Sequence, residues 1–98
     1  MTNTATTALF SFVYEESNEL VAITGDTKIL EHIAGGEEST ISVDGIVLLY
    51  GDEYIVSDIQ INTLNQISHF DPKEYDGLGL GGAVDYSVSI RLMIYPRY

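Results

Sequence analysis

Residues 46–61, IVLLYGDEYIVSDIQI, constrain the fold of this chain more than any other stretch. Two runs of strand-forming residues flank Gly51, Asp52 and Glu53. Glycine tolerates a positive φ, and aspartate can hydrogen-bond its own backbone. Two such runs separated by a short glycine-containing turn predict a β-hairpin. The first run, residues 46–50, is continuously apolar and predicts a central strand covered on both faces.

The second run, residues 54–61, alternates in the manner of a half-buried strand. One predicted face carries Ile55, Ser57, Ile59 and Ile61. The other predicted face carries Tyr54, Val56, Asp58 and Gln60.

Length and composition predict one small domain. The chain has 98 residues, of which 45% are hydrophobic, an ordinary share for a globular protein. The absence of cysteine excludes disulfide frameworks, thiolate metal sites and cysteine nucleophiles. No segment resembles a signal peptide, and no apolar run approaches the roughly 20 residues of a membrane helix. We therefore predict a cytoplasmic β-rich domain at residues 8–98, preceded by a frayed segment at residues 1–7.

The charge balance is the most unusual property of the composition. Fifteen acidic residues oppose four basic ones, for a formal net charge of -11. Such a surface repels nucleic acid and anionic membranes and attracts basic proteins. We predict a basic protein partner, with a plain solubility surface as the alternative explanation of the charge.

The first third of the chain predicts a second hairpin and a helix. Residues 8–14 and 19–24 read as strands about a polar turn, with Phe10, Phe12 and Tyr14 on one face. Residues 27–34 read as a short helix, which Asp26 or Thr27 would cap and a glycine pair would end. An extended strand at residues 28–30 is the alternative. Residues 41–43 predict a short strand.

The later part of the chain divides into an irregular segment and a regular one. Residues 62–82 show no clear pattern, although residues 63–70 predict a helical turn. Residues 76–82 hold four glycines, so they form either a functional loop or an element that the pattern hides. Residues 83–95 alternate cleanly and predict a strand with one buried face. Because Pro96 cannot donate a ladder bond, residues 95–98 are predicted to lie at a sheet edge.

Together these elements predict a mainly β fold, with a β-rich α+β arrangement left open. We expect a small antiparallel rolled sheet or SH3-like barrel of five or six strands with at most one short helix.

No motif indicates catalysis or a cofactor. The glycines at residues 77–82 lack dinucleotide and phosphate-loop spacing. Asp71, Glu74 and Asp76 do not match the ligand spacing of an EF-hand. His32 and His69 have no neighbouring metal ligand or nucleophile in a recognisable motif. We predict no enzymatic activity, no catalytic or metal-ligating residue and no cofactor.

Acidic residues and tyrosines are the candidate binding residues. The acids cluster at predicted turns, and tyrosine is enriched at protein interfaces. A domain of about 100 residues spans roughly 35 Å, and DNA of that length carries about 20 phosphate charges. The 15 acidic residues of this chain match that charge density only if they share one face. The predicted partner-binding residues are Glu15, Glu16, Glu37, Glu38, Asp52, Glu53, Asp71, Glu74, Tyr75, Asp76, Tyr95 and Tyr98.

The sequence thus predicts a non-enzymatic, acidic protein-interaction module. Its sharpest form is a small inhibitor of a nucleic-acid-binding protein, of the kind that phages and mobile elements encode. A self-associating structural subunit, such as a virion or tail component, is the first alternative. A weak calcium or small-ligand binder using residues 71–82 is the second.

Overall fold

The computed structural model describes residues 7–36 and 40–97 of the chain. Its strands are β1 (Thr7–Tyr14), β2 (Leu20–Thr24), β3 (Ile46–Leu49), β4 (Asp52–Phe70), β5 (Gly79–Leu80) and β6 (Val84–Pro96). One α-helix, α1 (Thr27–Ala34), follows β2, and a 3₁₀ turn at Pro72–Tyr75 follows β4. The frayed segment predicted at residues 1–7 falls outside the described residues, except that Thr7 already belongs to β1.

The six strands form one sheet in the order β3-β4-β6-β1-β2-β5. The sheet curls into a half-barrel, which confirms the small, β-rich, rolled fold with one short helix. It is mixed rather than antiparallel throughout, because β1 runs parallel to β6 and β2 runs parallel to β5.

Both predicted hairpins are confirmed. β1 pairs antiparallel with β2, and β3 pairs antiparallel with β4. The turn between β3 and β4 consists of Tyr50 and Gly51, at φ values of 53° and 83°. Two consecutive positive φ angles define the hairpin turn that matches the natural twist of strands. The turn therefore begins one residue earlier than predicted, and Asp52 and Glu53 open β4 instead.

The predicted central position of β3 in the sheet is wrong. β3 is an edge strand, and it alternates, with Val47 and Leu49 buried while Ile46 and Leu48 are 43% and 40% exposed. The prediction that both faces of this apolar run are covered is therefore also wrong, and its edge position depends on backbone pairing, which the side-chain pattern does not record. β6 is a central strand between β4 and β1, but its pairing with β1 ends at Ile94, so Tyr95 and Pro96 are paired on the β4 side only and have the open edge predicted for them.

A bulge in β4 reverses the predicted faces of the strand. Val56 pairs with Ile94 and Asp58 pairs with Met93, which leaves Ser57 as the extra residue. Tyr54 and Val56 are therefore buried before the bulge, and Ile59 packs against the same core after it. The prediction that Ile55, Ile59 and Ile61 share one face is wrong for Ile55.

The helical turn predicted at residues 63–70 is also wrong, because β4 continues to Phe70. The ladder with β6 is interrupted there. Thr63 pairs with Val88 and Ser68 with Tyr86, so four residues of β4 oppose one residue of β6. Leu64 and Ile67, two apolar residues of the predicted helical turn, both lie in this wide bulge.

Residues 41–43 form no strand, although the chain just after them still bonds to β4. Asp44 N–H donates to Val56 O (2.8 Å), and Val56 N–H donates to Gly45 O (3.0 Å). These two bonds extend the β3–β4 contact by one step beyond the strand.

The glycine-rich segment hides a short strand, β5. Leu80 O accepts a hydrogen bond from the buried Thr24 hydroxyl at 2.9 Å. A Cβ on Gly79 would lie 2.5 Å from the Pro72 carbonyl oxygen, so only glycine lets β5 pass this close to the 3₁₀ turn.

The helix forms as predicted. The Asp26 side chain accepts from Lys28 N–H at 2.9 Å, and Gly35 ends the helix at φ 108°. Ile33 of α1 is buried in the main core, which also contains these residues: Phe12, Val21, Ala22, Val47, Leu49, Tyr54, Val56, Leu92 and Ile94. A smaller cluster is built on Leu9, Ile23 and Phe70.

Candidate functional site

Two adjoining surface cavities of about 380 Å³ each lie where the β1–β2 turn, the start of β4 and the end of β6 meet. Tyr14 and Pro96 line both cavities. Five carboxylates line one cavity or the other: Glu15, Glu16, Glu19, Asp52 and Glu53. We name this region the acidic cleft, with these five carboxylates as its rim and Tyr14, Tyr54 and Pro96 as its floor.

The central position of β6 brings the two acidic turns together. Tyr14 of β1 pairs with Ile94, and Tyr54 of β4 pairs with Pro96 on the other side of β6. The rim is tied to β6 at both margins, since Glu15 N–H donates to Ile94 O (2.9 Å) and Arg97 N–H donates to Glu53 O (3.0 Å). The spacing of the two turns is therefore set by the backbone of one strand.

The turn between β1 and β2 presents three of the carboxylates. Tyr14 N–H donates to Glu19 O, and Asn18 N–H donates to Tyr14 O, each at 2.9 Å. Asn18 adopts a φ of 59°, a conformation that asparagine tolerates better than most residues. Its side-chain oxygen accepts from the Arg91 guanidinium at 3.3 Å, which ties the turn to β6.

Two tyrosine rings lie together in the floor. The Tyr14 and Tyr54 hydroxyl oxygens are 3.3 Å apart, and the ring centroids are 6.0 Å apart at an interplanar angle of 55°. Tyr54 is buried and Tyr14 is half-buried. Such rings offer apolar area and a hydroxyl at the same place, a combination suited to the aliphatic stem and polar head of lysine or arginine.

The cleft has a strong excess of negative charge. Among the described residues, Arg97 is the only Lys or Arg that lines either cavity. Its guanidinium lies 2.8 Å from the Glu53 carboxylate. No ion pair within residues 7–36 and 40–97 engages the other four rim carboxylates. Five acids against one cation leave a formal local charge of 5 − 1 = 4 negative units.

Five of the predicted binding residues therefore meet at one place: Glu15, Glu16, Asp52, Glu53 and Tyr95, the last of which also lines the first cavity. Glu37, Glu38 and Tyr98 lie outside the described residues.

The remaining predicted residues surround the 3₁₀ turn and line neither cavity. The Asp71 side chain accepts from Lys73 N–H at 3.0 Å and thus caps the turn. The Tyr75 ring packs against Phe70 with centroids 5.3 Å apart, while Glu74 and Asp76 are exposed. Within the described chain, no group of three or more His, Cys, Asp or Glu side chains is arranged to hold a metal ion.

Tyr50 connects the β3–β4 turn to the segment after the 3₁₀ turn. Its hydroxyl donates to the Gly77 carbonyl oxygen at 3.5 Å. Partial burial of this hydroxyl raises the pKa of Tyr50 above 10.0, although the residue as a whole is exposed. This contact joins the β3 edge of the half-barrel to the segment that leads into β5.

Sequence reasoning missed Tyr14, Tyr54, Glu19, Pro96 and Arg97 as members of the cleft. The alternation of Phe10, Phe12 and Tyr14 placed these three residues on one face of the strand, but nothing local indicated that Tyr54 would lie beside Tyr14. Their proximity depends on β6, which pairs with both of their strands.

The histidines lie elsewhere. His69 Nδ1 is 2.8 Å from Asp85 Oδ1 in an exposed pair between β4 and β6, and His32 is exposed on α1. In the described part of the chain, no helix is both long and apolar enough to cross a membrane. Comparison of the chain with family models, with curated proteins and with solved structures finds no match in any of the three.

Proposed function

We propose that this chain is a non-enzymatic interaction module whose acidic cleft binds a basic segment of a partner protein. One observation supports the proposal above the others. Carboxylates from two turns that are distant in the sequence converge around a tyrosine floor, and a single arginine offsets them. Lysine and arginine side chains carry both the charge and the aliphatic length that such a cleft accommodates.

The scale of the charge favours a peptide-sized contact over mimicry of a DNA duplex. The longest dimension of the molecule is 47 Å, and DNA of that length carries about 28 phosphate charges at one per ~1.7 Å. The whole chain has 15 acidic residues. Its acids therefore reach high density only locally, and the proposed ligand is a short run of basic residues.

The proposed consequence is competition with nucleic acid. Basic segments that bind nucleic acid carry the lysines and arginines that the cleft would engage. In the most specific form of the proposal, this chain is an inhibitor that occupies such a segment on a nucleic-acid-binding protein. The support for this form is the small size and the charge of the chain.

A labelled arginine-rich peptide tests the proposal directly. Fluorescence anisotropy would measure its affinity for the wild-type chain and for the variant Glu15→Gln/Glu16→Gln/Glu19→Gln, which removes three rim charges. We expect the variant to bind at least about tenfold more weakly, and the wild-type affinity to fall as salt increases.

The matched control is Glu31→Gln/Asp44→Asn/Glu74→Gln. These three residues are exposed and line neither cavity, and both variants change the net charge from -11 to -8. Equal weakening by the two variants would show that the peptide responds to overall charge, and it would contradict a site at the cleft. Tyrosine ring signals in NMR spectra give a second readout, since Tyr14 and Tyr54 should shift on peptide binding.

A further inference from the structure

Much of β4 has an unpaired edge. β3 pairs only with Asp52 to Ile55 of β4. The backbone hydrogen bonds of Asp44 and Gly45 with Val56 extend this pairing by one residue. From Asp58 onward, β4 is paired in the described structure on the β6 side alone. We name residues 58–70 the open half of β4. In an antiparallel ladder, alternate residues of such a strand turn their N–H and C=O groups to the free side.

After Asp58, which begins it, the open half of β4 carries no Asp, Glu, Lys or Arg through residue 68, whereas the rest of the chain is acidic. The uncharged residues 59–68 read IQINTLNQIS. Ile61 is 70% exposed and Ile67 is 61% exposed, the two highest values among the large hydrophobic residues of the described chain. An exposed, uncharged strand edge with apolar side chains is a template for pairing with another strand.

Residues 58–63 have the regular geometry that strand addition needs. Each of these residues is paired in unbroken register with β6, from Asp58 opposite Met93 to Thr63 opposite Val88. The wide bulge begins only after Thr63. The available edge is therefore six residues long, about the length of an average strand.

We infer that the open half of β4 binds the same strand of a second copy of this chain, antiparallel about a two-fold axis. Electrostatics favours this occupant. A basic partner is drawn to carboxylates, which this edge lacks after Asp58, whereas two copies that each carry a charge of -11 approach at least cost through an uncharged segment. An antiparallel edge is self-complementary about a two-fold axis, because each free N–H meets a free C=O.

Ile61 lies at the centre of the inferred interface. It is two residues beyond Ile59 on the same face, at the point where the main core ends. In the pair of copies, the two Ile61 side chains come from neighbouring strands on the same face of a continuous sheet of twelve strands. A substitution at Ile61 would consequently affect the interface twice.

Sedimentation velocity over a range of protein concentrations tests the inference. We expect a reversible change from 10.8 kDa to twice that mass, and a stronger dimer at higher salt because screening reduces the repulsion between copies. The variant Ile61→Lys should weaken the dimer at least about tenfold, although it lowers the net charge of each copy from -11 to -10.

The matched control is Leu48→Lys on β3, which makes the same charge change at an exposed apolar residue of the edge strand next to β4. It should leave the dimer intact, and circular dichroism should show both variants folded. A monomer at every concentration, an open-ended series of larger species, or loss of the dimer in Leu48→Lys alone would each overturn the inference.

This inference does not depend on the acidic cleft. Salt weakens the proposed peptide complex and strengthens the inferred dimer, so the failure of one is distinguishable from the failure of the other. The variant Glu15→Gln/Glu16→Gln/Glu19→Gln should leave the dimer unaffected at high salt.

Discussion

The two parts of β4 on either side of Ser57 differ in almost every respect except their strand conformation. The near part, residues 52–56, lies between β3 and β6 and buries Tyr54 and Val56. The open half pairs on one side and exposes Ile61 and Ile67. The isoleucines of this strand show the same division, since Ile59 packs against the main core while Ile61, two residues further along, is 70% exposed. The same residue type in one strand is therefore buried or exposed according to which neighbouring elements cover it.

The largest expected effect comes from truncating a buried side chain in the near part. Val56 is fully buried, so Val56→Ala loses two carbons of apolar burial and leaves a cavity, a cost of about 2–3 kcal/mol in the free energy of unfolding. The control Ile61→Ala should change the stability of the monomer by less than about 0.5 kcal/mol. Urea denaturation measures the free energy of unfolding of both variants, at a protein concentration too low for the inferred dimer to form. Equal losses would contradict the assignment of Val56 to the core and of Ile61 to the surface.

A smaller effect is expected from the hydroxyl pair in the floor of the cleft. Tyr14→Phe removes one partner of the 3.3 Å contact with Tyr54 while keeping the ring, and it should cost about 1 kcal/mol in the free energy of unfolding. In addition, it should weaken peptide binding less than the removal of three rim carboxylates does. Urea denaturation and fluorescence anisotropy together separate the two contributions, and a variant with unchanged stability would show that the hydroxyl contact is not stabilising.

The smallest effect concerns Tyr50, in the turn that leads into the near part. Burial raises its pKa in the folded chain above 10.0, so the folded state holds this proton more tightly than the unfolded state. Its contribution to stability is complete below pH 10.0 and is lost as pH rises through the folded-state pKa. The stability difference between wild type and Tyr50→Phe should stay constant up to about pH 10 and then change in favour of Tyr50→Phe. A difference that is the same at pH 9 and pH 11 would contradict burial of the hydroxyl.

Local features of the fold were readable in the sequence because local chemistry determines them. Asp26 and Gly35 predicted the start and the end of α1, and the structure confirms both of them. Both hairpins were predicted from apolar runs about polar turns. The errors arose from pairing between distant segments. The β1–β6 pairing joins residues 80 apart in the chain, as between Ser11 and Arg91, and it leaves no trace in side-chain alternation.

The candidate site was predictable only where local chemistry determines it, as in the turns. Turn chemistry indicated where Glu15, Glu16, Asp52 and Glu53 would be exposed. That these carboxylates line two cavities that share Tyr14 and Pro96 follows only from the order β4-β6-β1 in the sheet. The bulge at Ser57 was equally hidden, because a single extra residue changes the face of a strand without changing its composition.

The position of β6 has a consequence for how the fold assembles. Before the residues of β6 join the structure, β1 with β2 and β3 with β4 form two separate hairpins that share no edge. The sheet therefore becomes continuous only when β6, the last of the six strands in the chain, has paired, and its pairing with β1 joins residues about 80 apart. Folding dominated by such contacts is slow, and partly folded chains expose unpaired strands meanwhile. The negative charge of the chain, whatever it binds in the folded state, would keep those nascent chains apart until β6 is in place.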